Sequence, residues 1–335
     1  MHVYEIQGAG GVDALALTDR ERPQPASGEV LVRMHASSIN YRDLTTIEDP
    51  VPRGVAFPRI PNSCGAGVVE AVGAGVSDFA PGDAVTSCFF ARWEDGGITA
   101  DAMASALGGA VDGVLAEQVV FNAGSLVHAP AHLDHVAAST LPCAALTAWN
   151  AVAEFGQLKP GQTVLLLGTG GVSIFALQFA RVMGLRTIIT SGSDEKLARA
   201  VALGADETVN YRTHPDWDRE VLALTEGAGV DLTVEVGGAG TLERSVAATR
   251  VGGKIALIGV LTGGQINPVG IMRKSISLQG IYVGNRAMFK RMNLALQTHQ
   301  IEPVVDRRFG FSDARDAYHA MRAAGHFGKL VVELA

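Results

Sequence analysis

The sequence predicts an α/β fold in which a doubly wound parallel sheet is joined to a second, β-rich domain. Three observations predict it. In TVLLLGTGGVSIFALQFARVM (163–183) a strand-like apolar run, a glycine-rich turn and an apolar segment of helical length follow without a break. Strand and helix patterns then alternate to about residue 283, the rhythm of βαβ units. Residues 1–130 lack that rhythm and carry short β-rich runs between glycine, proline and aspartate turns. A chain of 335 residues is long enough for about two domains.

In chain order, the runs Glu29–Ala36, Gly67–Val72, Ala84–Ser87 and Ala116–Phe121 read as strands of the first domain, with Pro81-Gly82-Asp83 as one of its turns. Asn40-Tyr41-Arg42-Asp43 follows a strand and opens a short helix, which Asp43 is placed to cap. Phe57–Gly67 is a turn-rich lead into the next strand. Helical spacing begins at Asp134–Thr140 and continues in Ala144–Phe155, and Lys159-Pro160-Gly161 turns into the central strand Val164–Leu167. Strand Thr187–Thr190, helix Asp194–Leu203 and strands Asp231–Val236, Ile255–Ile258 and Ser277–Val283 complete the parallel sheet. Beyond Arg286 come helix Ala287–His299, a short strand near Val304–Val305, helix Asp313–Ala323 and strand Lys329–Leu334, a tail expected to return to the first domain. The expected domains are 1–133, 134–283 and the returning 284–335.

Composition narrows the function. With 47% hydrophobic and 18% charged residues the chain has ample core, and its net charge of −7 includes no basic block of the kind that grips phosphate backbones, so nucleic acid is not an expected partner. The opening MHVYEIQ lacks a basic segment backed by an apolar run, and no apolar stretch reaches membrane-span length, so the chain reads as cytoplasmic, with no membrane partner. Cys64, Cys88 and Cys143 are scattered and without C-x-x-C spacing, which fits reduced thiols. There is no G-x-S-x-G elbow for a hydrolase. His128, His132, His135 and His214 have no metal-ligand spacing, His319 and His326 read as surface or interface residues, and Trp149 and Trp217 as packing residues.

The turn Gly168-Thr169-Gly170-Gly171-Val172-Ser173 points to a dinucleotide. Gly168 supplies the freedom a tight turn needs, Gly170 lets a pyrophosphate approach the main chain, and the following helix offers unpaired N–H groups and the positive end of its dipole. The third glycine of G-x-G-x-x-G is replaced by Ser173, still small enough for close helix–strand packing.

GEVLVR (28–33), NYRD (40–43), GAGVVEAVGAGV (65–76), PGD (81–83), DGVLAEQVV (112–120), LPCAALTAWNAV (141–152), the GTGGVS turn and HFGKLV (326–331) resemble, in order and at family spacing, the medium-chain dehydrogenase/reductase superfamily in its zinc-independent, quinone-oxidoreductase-like branch. The resemblance implies a Rossmann doubly wound parallel sheet inserted into a GroES-like β-rich catalytic domain, an active site in the cleft, and a homodimer built through the edge of the Rossmann sheet. Zinc-dependent relatives hold their catalytic ion where this chain has Asn40, Ser63-Cys64 and Cys143, one thiolate where three protein ligands are needed. A makeshift site on Cys64 and Cys143 has no nearby histidine to complete it, so no zinc is expected. The structural cysteine lobe is also missing; in its place Phe89–Gly109, with Trp93, Glu94 and Asp95, is either a rim of the substrate cleft or a surface loop.

Cofactor choice turns on the end of the second Rossmann strand, where NAD-binding sites carry an acid for the ribose 2′-hydroxyl. Here stand Ser191, Gly192 and Ser193, followed by Lys196, with Tyr211 after the third strand, where NADPH-binding relatives hold the 2′-phosphate. Asp194 and Glu195 are the counter-evidence. NADPH is favoured over NADH. By resemblance, Thr147, Val260, Leu261, Val283 and Asn285 belong to the cofactor site and Lys329 approaches it from the tail. The expected reaction is hydride transfer to a quinone or α,β-unsaturated carbonyl, with Asn40 as donor or positioning group and Tyr41 stacking on the acceptor or protonating it, solvent being an equal rival for the proton. An alcohol or aldehyde dehydrogenase-type reductase and a non-catalytic NADPH sensor are the alternatives.

Overall fold

The computed structural model describes residues 1–259 and 261–334. They form two compact units, Met1–Leu146 together with the segment from Gly284 onward, and Thr147–Val283. The expected fold class is the one observed.

The first unit is built on a seven-stranded sheet. Its long central strand Glu29–Ile39, EVLVRMHASSI, is buried at most positions because it is covered on both faces. It pairs antiparallel with Cys64–Val72 and Gln118–Asn122, and also with the tail strand Lys329–Glu333. The register Leu330↔Ile39 and Val331↔Ser38 brings the tail back to the first domain and sets Lys329 beside the start of helix Tyr41–Glu48. One apolar cluster of this unit includes Val30, Val32, Met34, Val69 and Val85; a second joins Ile39, Leu44 and Ile47 to Tyr318, Leu330 and Val332.

The second unit carries six parallel strands in the order Glu207–Asn210, Arg186–Ser191, Thr163–Leu166, Val230–Glu235, Thr249–Leu257, Ser277–Gly280. The strand Thr163–Leu166 therefore has later strands on both sides. The winding reverses there, and the carboxyl end of strands at such a switch point is where open α/β sheets take ligands. Helix Gly171–Val182 buries Ile174, Phe175, Leu177 and Phe179, which accounts for its strongly apolar sequence. Among the described residues no helix is long and apolar enough to cross a membrane.

Two local readings change, and a third segment gains its anchor. Segment 134–146, grouped by sequence with the nucleotide domain, packs in the first unit: helix His135–Ala138 lies on strand Glu29–Ile39, and the His135 ring stacks on His35 with centroids 4.6 Å apart. The strand expected over Ser277–Val283 stops at Gly280, and Val283, at φ 57°, has left the extended region. The stretch Phe89–Gly109 is held by its own core: Phe89, Phe90 and Trp93 are buried, and the Trp93 and Glu94 carbonyls accept from Arg286 N and Ala287 N at the start of helix Arg286–His299.

Candidate functional site

In the second unit, the glycine turn lies at the end of Thr163–Leu166. Gly168 adopts φ 71°, a left-handed conformation that glycine enters without strain. At both Gly168 and Gly170, no heavy atom lies within 4 Å of where a Cβ would stand, so the space a pyrophosphate needs is open. Gly170 caps helix Gly171–Val182 without a side-chain hydrogen bond, leaving the first-turn N–H groups of Gly171, Val172 and Ser173 to face an anion. The Ser173 hydroxyl donates to Leu167 O at 2.6 Å, tying the helix to the strand, and Thr169 is buried in the turn.

The end of the second strand is polar. Ser191 is buried; its Oγ accepts from Ser193 N at 3.3 Å, and Ser193 Oγ accepts from Lys196 N at 3.4 Å as the cap of helix Asp194–Ala202. Tyr211 is exposed and its N–H donates to Ser191 O at 3.1 Å. A Cβ on Gly192 would stand 2.8 Å from Tyr211 Cε2 and 2.9 Å from Arg212 Nε, so both side chains lie over the strand end. Arg212, not among the residues the sequence singles out, stands at the strand end as well, directly after Tyr211. Asp194, one of the two acids that argued for NAD, is turned to Asn210, whose Nδ2 donates to Asp194 Oδ1 at 2.6 Å; Glu195, the other, follows it in the first turn of the helix.

The first unit gathers a buried polar cluster. Asn40 N and Asn40 Nδ2 both donate to Asp43 Oδ2, at 2.8 and 2.9 Å, so Asp43 fixes the helix start as expected. Asn40 Nδ2 also donates to Cys64 Sγ at 3.1 Å, and Asn40 Oδ1 accepts from Lys329 Nζ at 2.7 Å. Lys329 Nζ donates in addition to Ile39 O at 2.6 Å, and the residue is 3% exposed. Asn40 and Lys329, both expected at the site, meet each other here. The Asn40 amide is hydrogen-bonded inside the protein through both its nitrogen and its oxygen, the arrangement of a positioning group, the second of the two roles expected of it. Lys329, expected at the cofactor, has two of its three N–H bonds committed to Ile39 and Asn40, because the tail strand's register lands it there.

Burial lowers the pKa of Lys329, against the raising influence of Cys64, Cys143 and Asp43. Burial works to raise that of Cys64, but a hydrogen bond from the Cys143 thiol, the Lys329 charge and Ser63 outweigh it, and Cys64 lies below the ordinary thiol value. Cys143 is raised well above that value, first by its hydrogen bond to Cys64 and then by burial. Tyr41, the first residue of its helix, is exposed.

The remaining predicted residues are placed as follows. Thr147 is buried at the start of the second unit, Leu261 is exposed, and Val283 is buried with its carbonyl accepting from Asn150 Nδ2 at 2.7 Å. Asn285 belongs to the first unit, where Oδ1 caps helix Arg286–His299 by accepting from Met288 N at 2.8 Å. Val260 lies outside the described residues. Among the described residues, no group of three or more His, Cys, Asp or Glu side chains is gathered to hold a metal ion.

A glycine turn at the switch point of a doubly wound sheet, inserted in a chain whose other unit is a β-rich sheet, defines a dinucleotide-dependent oxidoreductase. Comparison with known proteins agrees. Residues 26–131 match the alcohol dehydrogenase GroES-like domain and residues 171–298 the zinc-binding dehydrogenase family. The chain is 42% identical to a zinc-type alcohol dehydrogenase-like protein of Schizosaccharomyces pombe, over 97% of this chain and 96% of that one. It is 26% identical to a quinone oxidoreductase of Rattus norvegicus, over 100% and 98%. Of solved structures, an NAD-dependent alcohol dehydrogenase is similar at 33% identity and TM-score 0.92, each chain covered over 100%. A mycobacterial protein solved with NADPH is similar at 27% identity and TM-score 0.84, again over 100% of each chain. The chain belongs to the medium-chain dehydrogenase/reductase superfamily and is an oxidoreductase.

Proposed function

We propose that the protein is an NADPH-dependent, zinc-independent reductase that delivers hydride to a quinone or an α,β-unsaturated carbonyl. The observation that carries the cofactor choice is the strand end at Gly192, where Arg212 and Tyr211 lie against the backbone and Asp194 is held by Asn210. A 2′-phosphate would meet Ser191, Ser193, Lys196, Tyr211 and Arg212, and the pyrophosphate would sit on the first turn of Gly171–Val182. Thr147, Leu261, Val283, Asn285 and the adjoining Val260 are assigned to the nicotinamide end on the family resemblance alone. When bound, NADPH supplies the hydride.

The first unit's cluster does not fit a catalytic zinc. Asn40 turns its NH2 toward Cys64, and the Lys329 ammonium hydrogen-bonds the amide oxygen a metal would need. A dication there would meet a cation and a hydrogen-bond donor. Conjugated acceptors need no Lewis acid, because the incoming charge spreads over a ring or enolate. Tyr41 is the exposed hydroxyl beside the cluster and the candidate to stack on or protonate the acceptor, with solvent as its rival.

A homodimer through the Rossmann sheet edge is supported by the open edge strand Ser277–Gly280 and the exposed Ile266, Val269, Met272 and Tyr282 around it. The test is NADPH and NADH oxidation against 1,4-quinones, enones, aldehydes and ketones, with alcohols in the reverse direction. Preferred turnover of NADPH with conjugated acceptors is expected. Faster turnover of alcohols or simple aldehydes would favour the reading suggested by the alcohol dehydrogenase-like relatives, and tight NADPH binding without turnover would favour a sensor.

A further inference from the structure

The exposed stretch 94–99 of the first unit carries one of the chain's two Asp-Gly pairs, Asp95-Gly96; the other is Asp112-Gly113. The two are held differently. Asp95, Gly96 and Gly97 are exposed, and a Cβ on Gly96 or Gly97 would meet no heavy atom within 4 Å. Gly96 lies in the left-handed region at φ 69°, and its N–H donates to Asp95 Oδ1 at 2.8 Å. The Gly96 nitrogen therefore faces the side-chain carboxyl of the residue before it, with no Cβ to hinder a closer approach. At the second pair both groups are occupied. Asp112 Oδ1 accepts from Arg59 Nη1 at 3.0 Å and Ile60 N at 3.1 Å, and Oδ2 accepts from Arg20 Nη1 at 2.9 Å. Gly113 N donates to Ile60 O at 2.8 Å. Gly113 is buried, and a Cβ there would overlap the Pro61 and Asn62 carbonyl oxygens, so its backbone has no room to turn.

We propose that Asp95-Gly96 is a site of spontaneous backbone modification, where aspartate converts to isoaspartate and loosens the start of helix Arg286–His299. The Gly96 nitrogen attacks Asp95 Cγ of the carboxylic acid: an N–C bond forms, a C–O bond breaks, and the acid's hydroxyl leaves as water with the amide proton. The product is a five-membered succinimide. Water then adds to one of its two carbonyls and the ring C–N bond breaks there, the nitrogen taking back a proton. Opening at the side-chain carbonyl restores aspartate; opening at the main-chain carbonyl leaves isoaspartate, whose chain runs on through Cβ. Nothing is oxidised or reduced, and water is the only co-reactant. The added backbone carbon falls between two anchors on one helix start. On one side, Trp93 O and Glu94 O accept from Arg286 N and Ala287 N at 2.9 and 3.0 Å. On the other, Gly96 O accepts from Trp93 Nε1 at 3.0 Å and from Nδ2 of Asn285, the helix cap, at 3.2 Å. Lengthening the chain between Glu94 and Gly96 sets these anchors out of register.

The test ages the full chain for weeks in neutral buffer at body temperature, folded and, in parallel, in denaturant. Thermolysin separates the two pairs by cutting at the intervening Ile98, Met103 and Leu107, and mass spectrometry with electron-transfer fragmentation tells aspartate from isoaspartate. In the folded chain the Asp95 peptide should yield a species lighter by one water and an isoaspartyl form of unchanged mass, at least about tenfold faster than the Asp112 peptide. In denaturant the two pairs should react at similar rates. Methyl transfer by an isoaspartyl carboxyl methyltransferase should label the aged wild type and fail to label aged Asp95→Glu, whose side chain would have to close a six-membered ring. Hydrogen exchange at the Arg286 and Ala287 amides should be faster in the isoaspartyl fraction than in fresh protein. An unmodified Asp95 in the folded chain, equal or faster reaction at Asp112, label persisting in Asp95→Glu, or unchanged exchange at the helix start would each overturn the proposal.

Discussion

Replacing Arg212 by alanine tests the cofactor reading at its most specific point. The guanidinium lies against Gly192, and a Cβ there would be 2.9 Å from its Nε. A charge-assisted hydrogen bond to phosphate contributes about 1.5–3 kcal/mol. Arg212 is exposed, so solvent screening reduces this to about 1–2 kcal/mol. The dissociation constant for NADPH should rise roughly five- to thirtyfold, and that for NADH should stay within about twofold, because the lost partner is the 2′-phosphate alone. Titration by fluorescence or calorimetry reads both constants. Adding salt should erode the wild-type preference for NADPH more than it changes NADH binding. Equal weakening of the two cofactors, or no change in either, would refute the placement of the 2′-phosphate beside Gly192.

Other expectations follow from the first unit. Lys329→Met leaves the Ile39 carbonyl and Asn40 Oδ1 buried without their charged donor, a loss of about 2–5 kcal/mol that differential scanning fluorimetry should read as a melting point several degrees lower; an unchanged melting point would contradict the buried ammonium. His35 and His135 are both held below the ordinary imidazole value, His35 by burial, its stacked partner and Arg33, and His135 by burial and Arg33 against the opposing pull of Asp134. The unfolded chain therefore binds more protons in mildly acidic solution, so stability should be full above about pH 6.5 and fall as the pH is lowered from there, with a shallower fall in His135→Gln. Elemental analysis of the purified protein should find zinc well below one per chain, and a chelator should leave NADPH-dependent quinone reduction intact; stoichiometric zinc would sink the zinc-independent reading.

The parts of the fold that could be read from sequence are those fixed by local chemistry. The turn at Gly168–Ser173 needs glycine for its left-handed step and a small residue for packing, and both requirements leave letters in the sequence. The helix start at Asn40 is similar, with Asp43 three residues on. What could not be read depends on distant partners. An amphipathic segment such as 134–146 records that one face is buried but not which sheet buries it. Lys329 reaches Asn40 only because Leu330 pairs with Ile39, and no local pattern specifies that register. Arg212 lies over Gly192 because Tyr211 N bonds Ser191 O, a contact between strand ends rather than a motif. In 89–109 the aromatics Phe89, Phe90 and Trp93 are buried while residues 94–101 are exposed, and no local pattern separates the anchored part from the surface part.

The return of the tail also orders the events of folding. The second unit is one continuous stretch, Thr147–Val283, with every strand neighbour inside it, so it can close as soon as that stretch is free. The first unit must wait. Its central strand meets Lys329–Glu333 across a sequence separation of 290 residues, as measured by the bond from Lys329 Nζ to Ile39 O. Until that strand docks, the Ile39 carbonyl and Asn40 Oδ1 lack the Lys329 ammonium they accept from, and the edge of Glu29–Ile39 stands open to other chains. Ribosome-bound chains halted shortly before Lys329 should thus carry a protease-resistant second unit beside a first unit that is still digestible.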